Sequence, residues 1–229
     1  MQSSGFLPCA ELRGVLLSAY KPCHGFCSTC KSMQWKPARG YVPRGFCGAL
    51  GNLSEVELVL IVAEPGDPLK GETYPVDSPE AALEAVCEYV YVCFDSHKDQ
   101  YHKNIRYILD HCWPKLAFSE QMRRTWITES TLCSAEKECG PVPTAVSQYC
   151  VESYLRQQLS LLPHATIVTL GGKAKRRTID LQHALGHEFI PAWAAAPPGC
   201  NHPKARPSWD RIADEVRKRP QTGAGFPAV

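Results

Sequence analysis

The chain has 229 residues, 44% of them hydrophobic, with 25 Lys and Arg against 23 Asp and Glu and a net charge of +2. That length supports one good-sized core, and the near-neutral balance excludes a polybasic nucleic-acid binder. No apolar run approaches the roughly 18 residues of a membrane span. The start, MQSSGFLPCAELRG, lacks a basic segment followed by an apolar stretch, so no secretory signal is expected. Twelve cysteines without a sign of export point to metal ligation and buried thiols in a reducing, cytoplasmic setting.

In chain order, AELRGVLLSAY carries a modest apolar stripe and predicts a short helix or loop. Residues 23–55, rich in Gly, Pro, Cys and aromatics, read as irregular. Val56–Gly66, VELVLIVAEPG, is a continuous apolar run ended by Pro-Gly, the pattern of a buried parallel strand. Residues 78–122 show helical apolar spacing in PEAALEAVCEYVYVCF and KNIRYILDHCW. Thr125–Cys133 is a second strand, followed by the loop ECGPVP. Thr144–Pro163 is a strong helix, with Pro143 ahead of it and Pro163 closing it. Ala165–Gly172 is a third strand turning at Gly171–Gly172 into a helix, and Glu188–Gly199 is a fourth strand leading to a loop. Pro207–Arg219 is a helix whose basic end suits the macrodipole. The tail 220–229 is expected to be disordered.

This alternation predicts an α/β fold: a three-layer α/β/α sandwich with a four-stranded, mostly parallel central sheet. One domain is expected over residues 1–219, its first 55 residues forming a metal-tethered segment. Ligands of such sheets bind at the carboxyl ends of the strands. Three unusual loops fall at that edge: AEPGDP, ESTLC and PPGCNHPK.

Cys27 and Cys30 form a C-x2-C pair, and Cys133 and Cys150 follow with sixteen residues between them. Four thiolates suit a [4Fe–4S] cluster or a tetrahedral zinc. Cys23 and Cys139 lie close enough in sequence to substitute for a member of the set. Cys9, Cys47, Cys87, Cys93, Cys112 and Cys200 read as core or surface thiols. GGKAKRR, HPKAR and RKR are basic clusters that suit phosphate, or are simply solvated helix faces and ends.

Taken together, these segments resemble the uracil-DNA glycosylase superfamily, most closely its iron–sulfur branch. Val62–Pro75, VAEPGDPLKGETYP, is similar to the family's first motif, a G-E-x-P-G turn followed by G-x-P-F. WITESTLC, its Pro-rich loop and its cysteine-bearing helix look like the family's I-T-N-x-x-K-C-R-P-P segment. IVTLGGKA resembles the family's strand, glycine and helix start, and CNHPKAR stands where H-P-S would fall. The resemblance covers about Cys27 to Arg211. It departs from the family at Val62 and Ala63 (Gly and Glu in the motif), at Glu129 (the base-reading Asn) and at Lys204 (the Ser).

The resemblance implies a monofunctional glycosylase that removes uracil from single- or double-stranded DNA in base excision repair. It favours iron–sulfur over zinc, with the cluster structural, and a monomer is expected. Glu64, in the loop after an apolar strand, is the expected catalytic carboxylate, favouring a developing sugar cation and positioning water. His202 would donate to the base oxygen that becomes negative. Ala63, Tyr74 and Glu129 are placed around the base, Tyr74 by stacking. An ionised Glu129 only accepts, whereas a buried, protonated one supplies the donor and the acceptor that uracil needs. Lys204 and Arg206 would meet phosphate or the gap left by the flipped nucleotide. Two other expectations stay open: a glycosylase for hypoxanthine or xanthine, and a non-catalytic module binding damaged or abasic DNA.

Overall fold

A computed structural model describes residues 5–22, 33–75 and 77–218. The five-residue strands β2 (Leu58–Val62), β3 (Thr125–Glu129) and β4 (Thr166–Leu170) are buried along their whole length. Strand β5 (Phe189–Ala192) is half-buried and pairs parallel to β4 at the border. The order is β1-β3-β2-β4-β5, and β3, β2, β4 and β5 all run parallel. Burial on both faces explains the unbroken apolar runs.

The expected four strands are corrected to five. Strand β1 (Cys47–Gly48) pairs antiparallel with Trp126–Ile127, within a stretch read as irregular. Two residues are too few to show a strand's period. Gly48 has a φ of +105°, and a Cβ there would lie 2.1 Å from the Thr125 carbonyl oxygen, so only glycine allows this close approach.

Helix α1 (Ala10–Leu17) buries Leu12 and Leu16. The long helical region resolves into α2 (Pro79–Asp95), α3 (Gln100–Cys112) and α4 (Phe118–Arg123). Ser78 caps α2 by accepting from the Ala81 amide at 3.0 Å, and Asp99 caps α3 by accepting from the His102 amide at 3.0 Å. Helices α5 (Thr144–Cys150) and α6 (Arg156–Ser160) are joined by a π-helical turn, Val151–Leu155. Helix α7 (Gly172–Leu185) follows β4. Helix α8 spans Ala205–Lys218, two residues earlier than the expected start, because Pro207 is tolerated in a first helical turn. Helices α2, α3 and α8 pack as one group and α5, α6 and α7 as another.

Trp126, Trp209, Phe46 and Phe94 are the largest fully buried side chains. Gln158 on α6 is buried and accepts from Trp126 Nε1 at 2.9 Å and Thr128 Oγ1 at 2.8 Å, tying that helix to β3. No helix among the described residues is long and apolar enough to cross a membrane.

Candidate active site at the carboxyl edge of the sheet

Pairing of β2 with β3 continues past the strands: the Ser130 amide donates to Val62 O and the Thr131 amide to Ala63 O, at 2.8 and 3.1 Å. The Ala63 carbonyl also accepts from Ser130 Oγ at 2.7 Å and from Arg177 at 2.8 Å. Glu64 is thus delivered at a fixed point just beyond β2. Its side chain is only 7% exposed and meets two cations. Lys173 Nζ lies 2.6 Å from Oε1, and Arg177 Nη1 lies 2.5 Å from Oε2, an ion contact whose angle falls short of a hydrogen bond. Lys173 also donates to the carbonyls of Cys139 and Gly140, so its three ammonium protons are all engaged.

Both cations come from the GGKAKRR cluster, which the sequence presents as a phosphate-binding or solvated face. Lys173 and Arg177 are four residues apart on α7 and therefore share one face. That face turns inward, and the exposed residues of the cluster are Lys175 and Arg176. An open groove of about 560 Å³ runs beside it, lined by Gly140, Pro141, Thr144, Lys173, Arg176 and Arg177 among others.

Glu129, the last residue of β3, is 4% exposed. Burial pushes its carboxyl well above the usual carboxylate range; the nearby Glu64 charge adds to this, and Arg44 and Arg177 oppose it. In its protonated form, which burial favours, the group carries both a donor and an acceptor. Its Oε2 has no hydrogen-bond partner among the described residues. Gly45 (φ +88°) lies across it, and a Cβ at that position would fall 2.5 Å from Glu129 Oε1.

Arg44 is a member of the site that sequence reasoning missed. It is 5% exposed. It donates to Ser134 Oγ at 2.6 Å and to the Gly66 carbonyl, and pairs with Glu72 at 3.3 Å. One guanidinium thereby pins the AEPG turn, the loop after β3 and the start of the GETYP segment. Nothing in ARGYVPRGFCG singles it out from Arg39. Tyr74 is 6% exposed, donates to Glu72 at 2.5 Å and packs edge-on to Tyr89. In this arrangement its ring is a core contact rather than an open stacking surface.

The loop after β5 presents His202 in the open. Its ring stacks on Trp193, centroids 3.7 Å apart and planes 6° from parallel. The Lys204 amide donates to its Nδ1 at 3.2 Å, which leaves the proton on Nε2. The Lys204 side chain is exposed. The Arg206 guanidinium lies 3.9 Å from the centre of the Tyr107 ring, a cation–π contact that holds it against the surface.

Of the expected metal ligands, Cys133 is half-buried in the loop after β3, and Cys150 is buried at the end of α5, where the π-helical turn begins. Cys27 and Cys30, and the alternative Cys23, lie outside the described residues. Cys139 is exposed. The chain just past Cys30 is nevertheless placed: Met33 bridges Ala135, and the Gln34 amide donates to Ser134 O at 2.9 Å. Cys30 is three residues from Met33, at most about 10 Å of chain.

No protein-family model matches this chain, and no curated protein does.

Proposed function

We propose that the chain is a monofunctional DNA glycosylase that hydrolyses the N-glycosidic bond of deoxyuridine and leaves an abasic site. The observation that carries this reading is Glu64: a nearly buried carboxylate, just past the carboxyl end of a central parallel strand, gripped by two cations from a different βα unit. Two packed groups of helices and a mostly parallel sheet suit the three-layer sandwich of the uracil-DNA glycosylase superfamily.

In this mechanism the nucleotide flips out of the strand. The C1′–N1 bond breaks with its electron pair going to the base, and the Glu64 charge favours the cationic sugar. His202 Nε2–H donates to the base oxygen on which negative charge develops. Water adds its oxygen to C1′ and releases a proton to solvent, and the departing base anion takes up a proton from solvent. A protonated Glu129 offers one donor and one acceptor to the base edge. Arg176, Lys204 and Arg206 contact phosphates, so the partner is DNA, single- or double-stranded. A hypoxanthine edge shows a similar ring N–H beside a carbonyl, and a protonated Glu129 suits it as well.

Cys27, Cys30, Cys133 and Cys150 would hold a [4Fe–4S] cluster, with zinc second. The fit rests on the thiolate chemistry of the four side chains; Met33–Gln34, which follow the C-x2-C pair in sequence, pair with Ser134–Ala135 next to Cys133. When bound, the cluster supplies a structural cross-link between the first 55 residues and the core. Iron, acid-labile sulfide and zinc assays on the full chain purified without oxygen test this. Loss of the metal in Cys150→Ser is expected, and a thiol-only protein would overturn it.

The function is tested with oligonucleotides carrying one uracil, hypoxanthine or xanthine, followed by alkali. Nicking at uracil, lost in Glu64→Ala and His202→Ala, is expected. Cleavage of a purine lesion alone would make Glu129 the specificity residue of a different glycosylase. Binding to abasic DNA without cleavage of any substrate would replace the enzyme with a damage-binding module.

A further inference from the structure

His202 poses a physical problem: an exposed loop side chain must present one N–H in one direction, yet exposure leaves its ring free to rotate. We infer that Trp193 is the positioning residue that solves it, acting together with the Lys204 amide; this rests on the glycosylase reading above. Trp193 is 38% exposed, yet its backbone is fixed on both sides by α8. Its amide donates to Ser208 Oγ at 3.0 Å, and its carbonyl accepts from Trp209 Nε1 at 2.9 Å. Ser208 Oγ is itself fixed, donating to Ala205 O at 2.7 Å. The next residue, Ala194, is wedged between two glycines: a Cβ on Gly171 or on Gly199 would each come within 2.9 Å of the Ala194 methyl. The indole is therefore a plate anchored to the framework, although the loop opposite it is exposed.

The near-parallel stack sets the plane of the imidazole. Within that plane, the Lys204 amide selects the rotation that turns Nδ1 toward it. Together they leave Nε2–H as the outward donor, held in one orientation before substrate arrives. Preorganisation of this kind acts on the chemical step rather than on binding. Trp193 itself touches no reacting atom in this scheme.

The test is nitrogen NMR of the full chain labelled at histidine, at about pH 8, where ordinary imidazoles are neutral. His202 is assigned by its disappearance in His202→Gln. A single Nε2–H tautomer is expected in the wild type and in Trp193→Phe, and mixed tautomers in Trp193→Ala. In parallel, kcat on the uracil oligonucleotide should fall about 10- to 100-fold in Trp193→Ala, with KM within about twofold, and recover in Trp193→Phe. An unchanged His202 spectrum in Trp193→Ala, or equal loss of kcat in both variants, would sink the proposal. If the wild type excises nothing, the glycosylase reading fails, and the tautomer spectra alone decide whether Trp193 positions His202.

Discussion

The two ends of the central strands handle charge differently. At the amino end, Glu57 before β2 pairs with Arg124 before β3. Nearby, Glu55 pairs with Arg123 at 2.7 Å, the two side chains being 31% and 38% exposed. The Glu55–Arg123 clip is part-exposed, and the Glu57–Arg124 clip less so, its side chains being 13% and 29% exposed. At the carboxyl end, Glu64 meets two cations recruited from 109 and 113 positions along the chain. A second carboxyl, Glu129, is buried nearby, and burial raises its pKa. Desolvating the Glu64 and Arg177 charges and one acid at a single edge costs stability. The amino end shows that the same strands can be closed off without that cost. The difference teaches where this fold spends stability on preorganised charge, and that is at the edge where parallel sheets bind ligands.

The sharpest way to break the comparison is activity. Glu64→Ala should lower abasic-site formation on the uracil oligonucleotide by about 100-fold or more. Arg124→Ala at the other end should leave it within about threefold. Equal losses would show that Glu64 acts only through folding.

Stability comes next. Arg177→Ala leaves Glu64 nearly buried with one cation fewer, and about 3 kcal/mol should be lost in urea unfolding at pH 7. Arg123→Ala breaks a part-exposed pair, and less than about 1 kcal/mol should be lost. If the order is reversed, the carboxyl edge is not the costly one.

The smallest effect is a pH slope. A carboxyl whose folded-state pKa is raised holds its proton in the native state after the unfolded chain has released it. Stability therefore falls as pH rises above the ordinary value of 4.5, and is unaffected well below it. Wild type should lose about 1.4 kcal/mol per pH unit relative to Glu129→Gln above that value, for as long as Glu129 stays protonated. Parallel unfolding curves of the two proteins from pH 5 to 7 would mean that Glu129 is ionised in the fold.

The run VELVLIVAEPG was readable because burial on both faces demands unbroken apolar sequence, and TWITESTLC because its β-branched and aromatic residues favour a strand; the structure has strands in both and in ATIVTLGG. The place of Glu64 just past β2 followed from the same pattern. β1 was not readable, because its partner and the φ of Gly48 define it rather than its composition. Nor was the inward turn of Lys173 and Arg177: the sequence shows a basic cluster, and only the packing of α7 makes Glu64 its counterion.

By itself, then, the sequence determined an α/β chain with its chemistry-bearing loops gathered at the ends of successive strands, since periodicity and turn residues are local properties. Tertiary structure alone decided that burial raises the Glu129 pKa, that Arg44 clamps three loops and that Trp193 underlies His202. Desolvation, ion pairing and ring stacking depend on groups distant in sequence, and no local pattern encodes which of them will meet.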